Sequence, residues 1–187
     1  FGIVTTAASH VMENGQGWPG EMGVWGDHQI PGLTKLAKGL RNQGALSLVQ
    51  IFHGGMRAPA ELIGTTPISA SYNDEKNGNE PAREMTEDEI QYAIEAFAAA
   101  AERCEKAGID GVEIHGAHGY LIDNFFWEGT NIRDDSYGGS IEKRSQFVSE
   151  IIQAVRSNIS QEFIVGLRFS QWKQHDFEAK LAHTTDD

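Results

Sequence analysis

The chain has 187 residues, enough to bury one sizeable core, and its 40% hydrophobic and 22% charged residues are ordinary for a globular protein. Its formal net charge of -12 repels a phosphate backbone, so nucleic acid is not expected as a partner. No apolar run approaches the roughly 20 residues of a membrane helix. The single cysteine, Cys104, allows no internal disulfide and favours a reducing, cytoplasmic location.

The first quarter of the chain predicts two strands with a helix between them. The apolar run Phe1–Ala8 is typical of a strand, and because the chain starts inside it without a signal peptide, we expect a segment of a longer protein. A helix follows and stops at Gly44. Its inward face carries Leu33, Leu36, Ala37 and Leu40. The run Ala45–Phe52 predicts the second strand.

A long connection follows the second strand. The stretch from Gly54 to Met85 is rich in Gly, Pro, Asn and Ser and has little periodicity. A connection of this length is typical either of a lid or binding loop or of a mobile surface excursion. The pattern favours the two interpretations equally.

The best-marked helix begins at Thr86, which forms a T-x-x-E capping box with Glu89, and it ends at Gly108. Apolar residues at spacings of three and four define its buried face, namely Ile90, Ile94, Phe97, Ala101 and Cys104. Cys104 is therefore predicted to be a core residue and not a nucleophile, since no neighbour in sequence would lower its pKa.

The last part of the chain predicts a strand at Gly111–His115, a helix that begins near Ser140, and a strand at Phe163–Ser170. The inward residues of that helix are Val148, Ile152 and Val155. The alternation of strands and helices indicates an α/β protein with a parallel sheet. Both a doubly wound sheet and a (β/α)8 TIM barrel fit, and four strands with three helices would make about half of a barrel.

Polar side chains lie where the predicted strands end. Gln50 and His53 end the second strand, Glu113 and His115 end the third, and Arg168 ends the fourth. Burying such groups costs free energy unless partners are present. Because ligands bind at the carboxyl ends of parallel strands, we expect a small-molecule site at this edge.

Two other patterns carry less weight. The stretch Gly15–Gly20 matches G-x-G-x-x-G, but it does not directly follow a strand and Pro19 interrupts a helix start, so we interpret it as a turn. His115 and His118 have a spacing that suits a metal pair, but no third ligand is evident, and we expect no metal. Two hydrogen-bonded structural imidazoles are the alternative.

A long ordered match begins at this histidine pair. Val112–Leu121 reads V-E-I-H-G-A-H-G-Y-L, and Asn131–Arg144 reads N-I-R-D-D-S-Y-G-G-S-I-E-K-R. The two stretches closely resemble the old yellow enzyme family of NADH:flavin oxidoreductases, and the likeness extends to Gln50–Arg57, to Gly23–Trp25 and to Arg168. Lys143 stands where the family usually has Asn, at a position that looks structural.

The resemblance implies a (β/α)8 barrel that holds FMN at its C-terminal mouth. Residues 1–187 would form part of this FMN-binding domain, and the four strands would be strands two to five. His115 and His118 resemble the pair that hydrogen-bonds the substrate's carbonyl oxygen, where negative charge builds in the transition state. Tyr120 resembles the residue that donates a proton to the α-carbon.

The resemblance also implies residues that contact the cofactor. Gln50 resembles the amide that pairs with the flavin pyrimidine edge, and Ala7 resembles a backbone contact to the flavin. Arg168 resembles the cation beside flavin N1 and O2, where a guanidinium keeps its charge. Arg57 lies where some members carry a Lys near the substrate or flavin.

The implied function is reduction of activated alkenes, such as enones, by an FMN-dependent enzyme that uses NAD(P)H. One alternative is a part of a larger reductase with an added iron–sulfur cluster, of the dienoyl-CoA type. Another is a truncated, non-catalytic half-barrel that associates with a partner. Since an open half-barrel exposes two sheet edges, we expect a homo-oligomer, and we expect the chain alone to bind FMN weakly.

Overall fold

The computed structural model describes residues 1–74, 80–173, 176–181 and 184. The described residues form six strands: β1 (Ile3–His10), β2 (Leu46–Phe52), β3 (Ile68–Ser69), β4 (Arg83–Glu84), β5 (Gly111–Gly116) and β6 (Ile164–Phe169). They also form six α-helices: α1 (Ile30–Arg41), α2 (Ala60–Ile63), α3 (Glu87–Lys106), α4 (Leu121–Phe126), α5 (Ile141–Arg144) and α6 (Gln146–Asn158). None of the helices formed by the described residues is long and apolar enough to cross a membrane.

The strand order separates the two architectures that the sequence left open. β1, β2, β5 and β6 form one sheet in that order, and every neighbouring pair is parallel. A doubly wound sheet reverses its order at a switch point, whereas a barrel adds each strand next to the preceding one. The chain is therefore an α/β segment of a (β/α)8 barrel, as predicted.

The first strand is displaced from its predicted position. The apolar run predicts Phe1–Ala8, but the strand runs over Ile3–His10. The pattern of apolar residues stops at Ala8, yet Ser9 and His10 continue the strand because their polar groups are buried with partners. The His10 backbone N–H donates to Met22 O at 3.2 Å, and its Nδ1 lies 2.7 Å from Glu21 Oε1.

One face of the sheet is covered by helices and the other is open. Val49, Ile51, Val112 and Ile114 point to the covered face and are fully buried. Their cover is mainly α3, whose predicted inward residues are all buried, Cys104 included. Burial raises the pKa of the Cys104 thiol to about 12, as expected of a core residue.

The residues predicted to begin and end individual helices are confirmed. Thr86 Oγ1 accepts from Glu89 N at 3.3 Å and Glu89 Oε2 accepts from Thr86 N at 2.9 Å, so the capping box forms. Gly44 and Gly108 take the left-handed conformation that ends a helix. The last predicted helix is divided, because Ser145 separates α5 from α6.

The long connection from Gly54 to Met85 contains α2 and the short parallel pair β3–β4. Residues 75–79 of it lie outside the described residues. Ile68, Ala70 and Met85 are buried in the core, so the described part of this connection is packed against the barrel segment. Arg133 fastens it by donating from Nη1 to Ala70 O and Met85 O, both at 2.8 Å.

Candidate active site

The polar side chains predicted to converge do meet on the open face of the sheet. Gln50 of β2 is in register with Glu113 of β5, and His115 of β5 is in register with Arg168 of β6. Glu113 and His115 are two residues apart on one strand, so all four side chains point to the same side. They form one row across three strands near the carboxyl ends.

The Gln50 side chain is held by Glu113, a strand-end residue for which the sequence alone predicts no particular contact. Its side-chain Nε2 donates to Glu113 Oε1, and its backbone N–H donates to Thr6 Oγ1 at 3.2 Å. Glu113 takes one of the two amide hydrogens, so the second hydrogen and the Oε1 acceptor are left for another group.

Ala7 lies on the adjacent strand, where the register between β1 and β2 shifts. The shift falls between Thr5 and Ala8, so Ala7 is outside the regular ladder. Its carbonyl accepts from Thr6 Oγ1 at 2.7 Å and from Ser9 Oγ at 3.2 Å. Ala7 is exposed at the same end of the sheet as Gln50.

His115, His118 and Tyr120 form an aromatic cluster at the end of β5. The two imidazole centroids are 5.0 Å apart, and the His115 and Tyr120 centroids are 5.4 Å apart. Phe52, at the end of β2, packs edge-on against the Tyr120 ring at 4.9 Å. The sequence placed these three side chains together correctly. No group of three or more His, Cys, Asp or Glu within the described ranges could hold a metal ion.

His115 is buried and incompletely partnered. It is 3% exposed, and its Nδ1 has no hydrogen-bond partner among the described residues. Burial, helped by the nearby charges of His118 and Arg168, lowers the His115 pKa to about 4. The pKa of His118 is lowered as well, mainly by burial and then by Arg168, although Asp123 opposes this. Both imidazoles are therefore neutral at pH 7, and each keeps one N–H to donate.

Tyr120 holds its proton firmly at neutral pH. Burial raises the pKa of its hydroxyl, and Glu21 adds to this while Arg57 opposes it. Arg57 lies close to the turn that carries Tyr120, because a Cβ built on Gly119 would be 2.7 Å from Arg57 Nε. Gly119 has a φ of 77°, a conformation that favours glycine at this position.

A second set of buried polar residues lies just after β2, where the carbonyl of His53 accepts from Leu121 N at 3.0 Å. His53 is buried, accepts from Gly55 N at Nδ1 (3.0 Å), and lies 3.2 Å from Asn14 Oδ1 through Nε2. Nδ1 is therefore the acceptor and Nε2 carries the proton. Burial, helped by His10, lowers the His53 pKa to about 3. The sequence showed that His53 ends a strand but not that Asn14 would meet it.

The buried imidazoles predict a loss of stability in mild acid. The pKa values of His53 and His115, about 3 and about 4, lie below the ordinary value of about 6.5. As the pH falls below 6.5, the unfolded chain binds protons that the folded chain refuses. The free energy of unfolding should be unaffected by these groups above that pH. It should then fall by up to about 1.4 kcal/mol per pH unit for each imidazole towards the folded pKa.

Urea denaturation at pH 7.5, 6.0 and 5.0 measures this slope. The variant His53→Gln should show a shallower slope than the unmodified chain, whereas His28→Gln, at an exposed histidine, should not. Equal unfolding free energies at pH 7.5 and 5.0 would contradict the lowered pKa values of His53 and His115.

The comparisons with known proteins agree with this geometry. The sequence model of the NADH:flavin oxidoreductase / NADH oxidase family matches residues 1–185. The chain belongs to this family. It is 42% identical over 174 residues to the probable NADH-dependent flavin oxidoreductase YqiG of Bacillus subtilis, covering 91% of this chain and 47% of that protein. FMN and a nicotinamide nucleotide are confirmed as the cofactors at the level of the family.

Solved structures show the same fold. The old yellow enzyme homologue of Zymomonas mobilis superposes with a TM-score of 0.84 at 31% identity, over 90% of this chain and 50% of that one. The 2-naphthoyl-CoA reductase in complex with 2-naphthoyl-CoA superposes with a TM-score of 0.86 at 32% identity, over 90% of this chain and 27% of that one. The chain thus spans about half the length of curated relatives such as YqiG.

Proposed function

We propose that this chain carries part of the active site of an enzyme that reduces activated alkenes, such as α,β-unsaturated carbonyl compounds, at the expense of NAD(P)H. The observation that carries the proposal is the His115–His118 pair. The two rings lie 5.0 Å apart between centroids at the carboxyl end of β5, and each neutral imidazole keeps one N–H to donate. Two neutral N–H donors suit an oxygen on which negative charge develops.

The residues of the open face fit FMN, so we propose that residues 1–187 form part of an FMN-binding barrel domain. Gln50 would pair with the flavin through its remaining amide atoms, and Ala7 would contact the flavin through its backbone. Arg168 is exposed on the same face, one strand beyond His115, and its guanidinium would face the flavin. FMN, when bound, supplies the hydride; the protein positions it and tunes it.

The protein would move one proton. Tyr120 keeps its hydroxyl proton at neutral pH, and the T-shaped contact with Phe52 holds its ring beside the histidine pair. A phenol in this state can act as general acid towards the substrate's α-carbon. Arg57, next to the turn at Gly119, would contact the substrate. These roles rest on placement together with the family resemblance.

The lengths of the relatives favour a second candidate function. The chain is 39% identical to the NADH:acrylate oxidoreductase of Vibrio harveyi, but the match covers only 17% of that protein. The same barrel segment is therefore also found in much larger reductases, and part of a larger FMN and iron–sulfur reductase is the alternative. A non-catalytic half-barrel is the third. A cytoplasmic location and a homo-oligomeric state stay predictions.

A visible absorption spectrum tests the proposal. We expect little FMN to remain after desalting, since part of the cofactor site would lie on other strands of the barrel, so the assay is run with FMN in excess. NAD(P)H under anaerobic conditions should bleach the flavin band faster than it bleaches free FMN. Adding 2-cyclohexenone should restore the band. Cyclohexanone, which lacks the alkene, should not.

The outcomes separate the candidates. Bleaching without faster recovery on the enone would contradict alkene reduction and leave a flavin reductase. A rate equal to that of free FMN would favour the non-catalytic half-barrel.

A further inference from the structure

The histidine pair and Tyr120 are joined by a turn that needs support. His118 has a φ of 66°, the single positive value among the described residues other than glycine, and Gly119 follows with a φ of 77°. A non-glycine residue in this region is held there by its surroundings, since the conformation costs free energy. The direction of His118 and Tyr120 therefore depends on what fixes the turn.

Two side chains at the start of α4 fix it. Asp123 Oδ2 accepts from the backbone N–H of Gly119 at 2.8 Å, and Asn124 Nδ2 donates to the carbonyl of Gly119 at 2.9 Å. Both polar groups of the Gly119 backbone are thus bound by the helix that follows. Asn124 in turn accepts from Met56 N at 3.3 Å, which ties the turn to the loop after β2.

Asp123 brings a charge into the interior, and this charge has one cationic partner among the described residues. Its Oδ1 binds the Nζ of Lys173, and the two side chains are 1% and 3% exposed. An ionised carboxylate at such burial is costly unless it is paired. Lys173 reaches it from the segment after β6, five residues beyond Arg168.

We propose that Lys173 is a positioning residue for the active site: by pairing with Asp123, it keeps that carboxylate oriented to hold the Gly119 turn, and so sets the direction of His118 and Tyr120. The role of Lys173 in catalysis rests on the proposed function. The effect on the turn is independent of it, and it can be measured on the chain without flavin.

The test uses amide hydrogen exchange followed by NMR on the 187-residue chain. In Lys173→Met the stem is kept and the ammonium is lost, so the Gly119 amide should exchange at least about tenfold faster than in the unmodified chain. Exchange at Ile94, in the core of α3, should change much less, because the effect is local. Lys180→Met makes the same substitution at an exposed lysine of the same segment and should leave Gly119 unchanged.

A double variant separates the charge from simple packing. In Asp123→Asn with Lys173→Met, the amide oxygen still accepts from Gly119 and needs no ammonium. Exchange at Gly119 should return to within about threefold of the original. Unchanged exchange at Gly119 in Lys173→Met would overturn the proposal, as would equal acceleration at Gly119 and Ile94, or a double variant no better than the single.

Folding of the variants does not decide the matter alone. Should Lys173→Met fail to fold, the double variant decides: a folded chain with a protected Gly119 amide supports the proposal, and an unfolded one overturns it. A Gly119 amide that is protected from exchange, in a chain that does not reduce an enone, would contradict the proposed function and leave the positioning role intact.

Discussion

Replacing His115 with alanine is expected to lower kcat/KM for an enone by about 10²- to 10³-fold, the usual effect of removing one donor to a developing oxyanion. His115 is buried, neutral at pH 7, and stands 5.0 Å from His118 between ring centroids. The remaining imidazole cannot replace it, since a second fixed donor is lost and a void remains. The loss of rate should appear when the alkene reoxidises the flavin, and not when NAD(P)H reduces it.

Stopped-flow spectroscopy with excess FMN separates the two half-reactions. Bleaching by NAD(P)H should change by less than about tenfold, and reoxidation by the enone should carry most of the loss. His28→Ala is the matched control, because this histidine is exposed and packs against Trp25 away from the open face. A loss confined to the bleaching step would move His115 from substrate binding to the nicotinamide reaction.

The local features of the fold could be predicted from the sequence because each depends on a few neighbouring residues. The capping box at Thr86 and Glu89 and the buried stripe that includes Cys104 depend on spacings within one helix. The strand order does not depend on local spacing. Alternating strands and helices fit both a doubly wound sheet and a barrel. Only the pairing of β2 with β5 and of β5 with β6 distinguishes these two architectures.

The placement of the main candidate residues could be predicted from the sequence, whereas the residues that support them could not; the catalytic and cofactor-binding roles stay predictions. His115, His118, Tyr120, Gln50 and Arg168 follow strand ends or belong to the resembling motif, so their positions are set by the parallel sheet. Asp123 pairs with Lys173, which lies 50 residues further along the chain in a segment without periodicity. No local spacing predicts a contact over that distance. Two-residue strands such as β3 and β4 likewise have no period to detect.

The largest effect on stability is expected from Arg133→Met. The Arg133 side chain is 4% exposed, and it binds Asp135 as well as the carbonyls of Ala70 and Met85. Methionine fills most of the space but leaves two carbonyls without donors and one carboxylate without its cation. Breaking such a pair costs about 3–5 kcal/mol when both members are buried, and Asp135 is 25% exposed. We therefore expect a loss of about 3 kcal/mol in urea denaturation at pH 7.5.

The same substitution at an exposed pair sets the scale for this loss. Arg41 binds Asp110 at 3.1 Å, but its side chain is 58% exposed, so Arg41→Met should cost about 1 kcal/mol or less. The residue type and the charge change are identical in the two variants, so the difference between them reflects the burial of Arg133 and its additional carbonyl contact. A similar loss in both would mean that the long connection is held without Arg133, through contacts such as Asn73 Nδ2 to Thr130 O at 2.9 Å and Ile132 N to Ser71 Oγ at 3.0 Å. A much larger loss at Arg133 would mean that this guanidinium, which belongs to the second of the two family-like stretches, joins the connection after β2 to the barrel segment through the carbonyls of Ala70 and Met85.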